Sequence, residues 1–344
     1  MDGVRSIAPL ENVLPDATPD VAVVRPLPTP PFLTVIVCTH ERPRYLGTCL
    51  AALDAGRRPD DAAVSAGWCV LVVDSASSPA AAAEIAALSA AHGAELLRVD
   101  APGLSLARNA GLAAAATPWV AYIDDDARVA PDWPRAIAAA VARLPARAAA
   151  LGGPIVPAWE APCPAWWPAE LIPALTVLNW AGAGRVGDGS LPPHVEPYGA
   201  NMVFRAASLR AVGGFPPELG RIGAKLLSGE EAWVMRALRG AGLDIHYDPA
   251  ISVTHSIQAV RLTPRWLLRR QFWSGVSEAI VVARLDGKRR AVLKGLRMAL
   301  HAALRAPLAA WPMHDPAMIR QRCALAFASG YLRGLMAAHR GGSR

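Results

Sequence analysis

Trp119-Val120-Ala121-Tyr122-Ile123-Asp124-Asp125-Asp126 is an apolar run closed by three consecutive carboxylates. A buried strand that ends in three like charges calls for a cation, because unpaired carboxylates a few ångström apart repel and raise one another's pKa. Taken alone, the triplet is equally a solvated strand-end turn. The stretches around it decide between the two.

Upstream, short β-branched runs alternate with helical patterns. Leu33–Cys38 reads as a strand, followed by a helix over Arg44–Ala55. Cys69–Val73 is a second strand, ended by Asp74-Ser75-Ala76-Ser77-Ser78-Pro79, with a helix running to about Ala91. Glu95–Val99 is a third strand, followed by the helix Ser105–Ala116. Trp119–Ile123 is a fourth, and a helix from Pro131 to Leu144 comes after it. This alternation predicts right-handed βαβ units and a mostly parallel, helix-covered sheet, an α/β fold. Ligands of such sheets sit beyond the carboxyl ends of the strands. The polar residues that follow the strands, namely Thr39, Glu41 and Arg42, Asp74, Arg108 with Asn109, and Asp124 to Asp126, should therefore meet at one edge. That convergence favours the metal reading.

The second half is less regular. Leu151–Pro157 reads as one strand and Ile245–Val253 as another, ending near His255. Pro162–Pro173 is a Trp/Pro-rich loop, and the glycine-rich stretch 182–189 reads as mobile. Ser228-Gly229-Glu230-Glu231 opens a helix that extends to Gly240, where its dipole stabilises two acids able to project into a cleft.

Composition narrows the rest. At 344 residues with 53% hydrophobic and 18% charged residues, the chain can bury a large core. Five scattered cysteines without a CxxC pair read as reduced thiols and predict a cytoplasmic setting. The start, Met1-Asp2-Gly3-Val4-Arg5, predicts no cleaved leader. Residues 1–255 hold 19 Lys+Arg and 25 Asp+Glu, net −6, while residues 256–344 hold 16 and 3, net +13. The chain therefore divides into a proline-punctuated arm over 1–31, a catalytic-looking domain over 32–260 and a basic helical C-terminal region over 261–344. In that last region Arg290, Lys294, Arg297, His301 and Arg305 share one helical face, with Val292, Leu296, Leu300 and Leu304 beside Ala299 and Ala303 on the remainder. Arg261, Arg265, Arg269 and Arg270 are interleaved with Trp266, Leu267, Phe272 and Trp273. Two readings of this region stand open: a peripheral contact with the cytoplasmic face of a membrane, or a helical cap packed on the domain with its arginines solvated. Nucleic acid is not expected as a partner, since no recognition motif accompanies the charge.

The ordered set Val35–Pro43, Val72-Val73-Asp74-Ser75, Gly103–Gly111, Tyr122–Asp126, Gly199-Ala200-Asn201-Met202, Gly213-Gly214-Phe215 and Gly229-Glu230-Glu231 resembles glycosyltransferase family 2, of the GT-A fold, across residues 33–260. The resemblance implies an inverting, Mn2+- or Mg2+-dependent transfer of a sugar from a nucleoside-diphosphate sugar to a hydroxyl of a glycan, lipid-linked or small-molecule acceptor. It implies that Thr39, Glu41, Arg42 and Asp74 line the nucleoside pocket and that Arg108 lies near ribose and diphosphate. Asp124 and Asp125 would face the nucleotide sugar, and Asp126, with Asp124 and His255, would hold the metal. Asn201 would meet the acceptor, and Glu231, beside Glu230, would be the base. The family often shows Glu-Asp where this chain has Glu230-Glu231, so either acid can be the base.

Two other readings compete. A nucleotidyltransferase that makes sugar nucleotides would want a glycine-rich loop and a lysine after the first strand, which Cys38–Arg44 lacks. A catalytically inactive membrane scaffold would keep the fold without needing these acids. An aspartyl phosphatase is excluded, because Arg128 stands where Thr or Val is required.

Overall fold

The computed structural model describes residues 31–57, 67–192, 194–223, 225–305 and 315–340. The expected N-terminal arm, up to Pro30, lies outside them.

The chain opens with β1 (Leu33–Thr39), α1 (Pro43–Ala55), β2 (Trp68–Ser75), α2 (Pro79–Ala91), β3 (Glu95–Val99), α3 (Leu104–Ala114) and β4 (Trp119–Asp124). Continuous apolar runs form β1, β2 and β4 because both faces of these strands are covered, as a helix-sandwiched parallel sheet requires. The next elements are β5 (Ala127–Val129), α4 (Trp133–Arg143), β6 (Ala148–Gly152), β7 (Ile155–Trp159), a 3-10 turn over Ala169–Leu175, β8 (Gly184–Arg185), β9 (Met202–Arg205) and α5 (Ala206–Ala211). They are followed by α6 (Glu230–Gly240), β10 (Asp244–Tyr247), β11 (Val253–Ile257) and a 3-10 turn over Ala259–Leu262. The chain ends in α7 (Pro264–Leu285), α8 (Lys288–Arg305) and α9 (Pro316–Arg340).

Eight strands form the main sheet in the order β3-β2-β1-β4-β9-β6-β10-β8. The β3-β2-β1-β4 half is parallel, as is the β6–β10 pair. β9 runs antiparallel between β4 and β6, and β8 closes the far edge antiparallel to β10. Register positions the site: Thr39 pairs with Asp74, and Cys38 pairs with Asp124, so the carboxyl ends of β1, β2 and β4 form one rim. Helix α3 lies close beneath that rim, since a Cβ on Gly111 would come within 2.6 Å of Ile36 Cγ2. That close approach brings Arg108, one turn earlier, under the strand ends.

Three expectations change. The single strand over Leu151–Pro157 is two strands, β6 in the main sheet and β7 in a second sheet of order β5-β11-β7. The chain bends between them at Gly153, where a Cβ would lie 2.0 Å from the Ile251 carbonyl oxygen, so no larger residue fits the crossing. The strand over Ile245–Val253 is likewise split into β10 and β11, which belong to different sheets. An apolar run carries no mark of the sheet it will join. The glycine-rich stretch 182–189 contains β8, paired with β10 through His246↔Arg185 and Tyr247↔Gly184.

The C-terminal region is built into the body at its first helix. Leu267 is fully buried, and Trp266 lies 6.5 Å from Trp167 in a cluster that also takes Leu175, Ile257 and Ile319. Residues 261–273 therefore pack on the domain, as in the helical-cap reading, but with Arg261 buried and not solvated.

Candidate active site

A cleft of about 320 Å3 opens above the rim, lined from β1 (Cys38, Thr39), β4 and its turn (Asp124 to Asp126), α3 (Ala107, Arg108), α6 (Glu230, Glu231) and α7 (Arg270). The sequence-distant acids do come together.

Asp126 is the most heavily held of them. Its Oδ2 accepts from Arg42 Nη2 at 2.6 Å and Arg261 Nη2 at 3.0 Å, while its Oδ1 faces His255 Nε2 at 3.1 Å. Burial alone would push its carboxyl up. The His255 hydrogen bond and charge, with the two arginines, outweigh that and hold it well below the usual carboxylate range. Asp125 goes the other way. Burial raises it to about 7 against the opposing charge of Arg42, and Thr39 donates to its Oδ2 at 2.8 Å.

His255 sits in the middle of β11, paired with Ala127 next to the triplet. Asp124, Asp126 and His255 can each offer one ligand atom, all within 4.8 Å of one another. Two carboxylates and an imidazole suit Mn2+ or Mg2+. The buried Nδ1 of His255 has no hydrogen-bond partner among the described residues. The residues present fit a divalent ion.

On the opposite wall, Gly229 caps α6 with a left-handed φ of 88°, which turns Glu230 and Glu231 into the first helical turn. Arg108 joins the two walls. Its Nη1 donates to Glu230 Oε1 at 2.8 Å and lies 3.6 Å from Glu231 Oε1, and its Nη2 lies 3.4 Å from Asp124 Oδ1. A Cβ on Gly199 would come within 2.5 Å of Arg108 Nη2 and 2.6 Å of Glu231 Oε1, so a bare backbone is needed beside them. Glu230 is buried, with Oε2 unpartnered among the described residues; burial and the neighbouring Glu231 carboxylate raise it to about 8, Arg108 opposing. The Glu231 side chain keeps 20% exposure toward the cleft.

Arg42 lines the cleft, and three other expected residues, Glu41, Asp74 and Asn201, are placed differently. Arg42 grips Asp125 and Asp126 and stacks on Tyr45 at 4.5 Å. Glu41, at a left-handed φ of 56°, accepts from the Ser78 backbone and hydroxyl and is turned away from the cleft lining. The Asp74 carboxylate is taken up by Arg98 and by the Ser77 amide at 3.1 Å, and Ser75 lines the cleft beside it. Asn201 does not reach the cleft. Its fully buried side chain accepts from Trp133 Nε1 at 3.1 Å and donates to the carbonyls of Pro154 and Ile251, which corrects its expected contact with acceptor. An asparagine looks the same in sequence whether it bonds a ligand or ties three segments together.

Arg221, Arg261 and Arg270 were not anticipated here. Arg221 and Arg270 line the cleft, and Arg270 donates to Ser228 Oγ at 2.9 Å. Arg261 and Arg270 begin the basic stretch that sequence reasoning gave to the tail. Their only signal was that they follow β11, Arg261 in the next turn and Arg270 in the helix after it.

Residues 34–158 match the model of glycosyl transferase family 2. The glucosyl-dolichyl phosphate glucuronosyltransferase of Haloferax volcanii is 32% identical over 182 residues, 52% of this chain and 56% of the relative. The match thus spans just over half that relative's length. The succinoglycan biosynthesis protein ExoM of Rhizobium meliloti is 28% identical over 271 residues, 78% of each chain. In fold, the chain is similar to the mannosyltransferase PcManGT from Pyrobaculum calidifontis, described in complex with GDP-Man and Mn2+, with a TM-score of 0.56 and 20% identity over 90% of each chain. With the strand-end acids, the Arg108 bridge and the GT-A sheet in place, this chain carries a glycosyl transferase family 2 match over residues 34–158 within a GT-A fold.

Proposed function

We propose that the chain transfers a sugar from a nucleoside-diphosphate sugar to an acceptor hydroxyl, with inversion at the anomeric carbon. The observation that carries this reading is the meeting of Asp124, Asp126 and His255 with Glu230 and Glu231 across one cleft, joined by Arg108.

Asp124, Asp126 and His255 would hold Mn2+ or Mg2+, which when bound neutralises charge on a leaving diphosphate. The chain's own groups do the remainder. Thr39, Arg42, Ser75 and Asp125 border the end of the cleft that would take the nucleoside. Arg221 and Arg270 present fixed positive charge along the same cleft, where the diphosphate's charge would develop. Glu231, the less buried acid, takes the proton of the acceptor hydroxyl as its oxygen attacks the anomeric carbon. The bond from that carbon to the phosphate oxygen breaks, and the electron pair leaves with the diphosphate. Glu230 holds Arg108 in place beneath the reacting atoms.

The relatives act in glycolipid and polysaccharide synthesis, which supports a lipid-linked or polysaccharide acceptor. The full-length protein should release nucleoside diphosphate from one of a panel of UDP-, GDP- and dTDP-sugars when Mn2+ and a polyprenyl-phosphate sugar or oligosaccharide are supplied. Failure to bind any donor, with or without Mn2+, would replace this reading with that of a scaffold.

A further inference from the structure

Helix α8 has three faces, and only one of them is used by the fold. Ala291, Gly295, Met298 and Ala302 recur at the spacing of a single stripe. Ala291 is fully buried, and its carbonyl accepts from Tyr331 Oη of α9 at 3.2 Å. A Cβ on Gly295 would stand 2.7 Å from Leu335 Cδ1. Lys294 reaches across to Glu278 of α7 at 2.6 Å. Small residues make this packing, so the helix does not need its leucines to dock.

Those leucines face solvent. Val292, Leu293, Leu296, Leu300 and Leu304 are 37%, 51%, 61%, 62% and 71% exposed, rising steadily toward the end of the helix. At about 100° per residue they form a second stripe, turned well away from the packed one. Arg290 and Arg297 border it on one side and Arg289 stands at its N-terminal end, all three exposed and without an ion-pair partner among the described residues. No acidic residue occurs anywhere in Lys288–Arg305.

We propose that α8 lies in the plane of an anionic membrane surface, with the Val292–Leu304 stripe entering the headgroup region and Arg289, Arg290 and Arg297 pairing with lipid phosphates. Charge complementarity selects this occupant. A second copy laid on the same stripe would bring two acid-free basic helices together, at a cost in like-charge repulsion. An anionic bilayer offers hydrocarbon and negative charge side by side along the whole helix, roughly 27 Å. No described helix is long and apolar enough to cross a membrane, so the contact lies on the surface. Helix α7, whose Arg270 lines the cleft, leads directly into α8 and would carry the cleft to the lipid surface. The inference is independent of the sugar-transfer reading.

Sedimentation of the full chain with phosphatidylcholine vesicles containing about a third phosphatidylglycerol tests it. The unmodified protein should co-sediment, with about tenfold or greater loss on pure phosphatidylcholine and a similar loss in high salt. Leu296→Glu/Leu300→Glu and, separately, Arg289→Glu/Arg290→Glu/Arg297→Glu should each reduce binding at least about tenfold while leaving the melting temperature unchanged. Vesicle binding that survives both variants would overturn the proposal. So would light scattering that shows a dimer abolished by Leu296→Glu in a protein that does not bind vesicles.

Discussion

Arg108 and Glu230 stand 122 residues apart in the chain and 2.8 Å apart in the cleft, each side chain only 2% exposed. Through this pair, the helix beneath the strand rim is tied to the helix that carries the candidate base. Removing Arg108 leaves the buried Glu230 carboxyl without its donor, whereas removing both does not. Arg108→Met should therefore cost about 1–3 kcal/mol in urea unfolding. Arg108→Met/Glu230→Met should recover most of that stability while turnover stays lost. A double variant no more stable than the single one would mean that the pair is not what holds these helices together.

Glu231→Gln keeps shape but cannot take a proton. Sugar transfer should fall by about 10²–10⁴-fold with calorimetric donor affinity unchanged. Full transfer in this variant, with loss in Glu230→Gln, would move the base to Glu230.

Asp126 combines the arginine anchors with the proposed metal site. In the unmodified protein, chelation should abolish turnover and Mn2+ should restore it, with Mn2+ raising the melting temperature. Asp126→Asn and His255→Ala should lose that Mn2+-dependent rise. A rise of unchanged size would place the ion elsewhere.

Glu230 gives a pH signature. Its folded-state value is raised to about 8 from an ordinary 4.5, burial being the first cause and Glu231 the second. The native state thus holds this proton more tightly than the unfolded chain does. The stabilisation is complete below the ordinary value and is lost as pH rises toward about 8. Melting temperature should fall over that window, and Glu230→Gln should flatten the fall. Parallel pH curves for the two proteins would contradict the assignment.

Asn201→Ala removes three hydrogen bonds among buried groups and should destabilise the fold by about 1–3 kcal/mol. Acceptor KM should be unchanged in the folded fraction. A raised KM at unchanged stability would return Asn201 to the acceptor.

Much of the first half was legible in the sequence because its information is local. Glu95–Val99 falls where the apolar pattern put it, and β1, β2 and β4 fall within a few residues of their expected bounds. The carboxyl-edge rule then brought Thr39, Arg108, Asp124 and Asp126 to one cleft without any knowledge of contacts. The glycine-glutamate step at 229–231 likewise announced the turn that opens α6.

Other assignments needed the folded chain. Whether Leu151–Pro157 was one strand or two depended on a crossing at Gly153, set by a backbone segment nearly a hundred residues later. The arginines after β11 looked like a basic tail until the packing of Trp266 and Leu267 turned Arg261 and Arg270 inward. On α8 the pattern of leucines and arginines was plain from the sequence, but only the docking of Ala291 and Gly295 decided which stripe was left in solvent. Periodicity and charge are properties of a segment and can be read along it. A side chain's partners are set by how distant segments pack, and no single stretch of the chain records that.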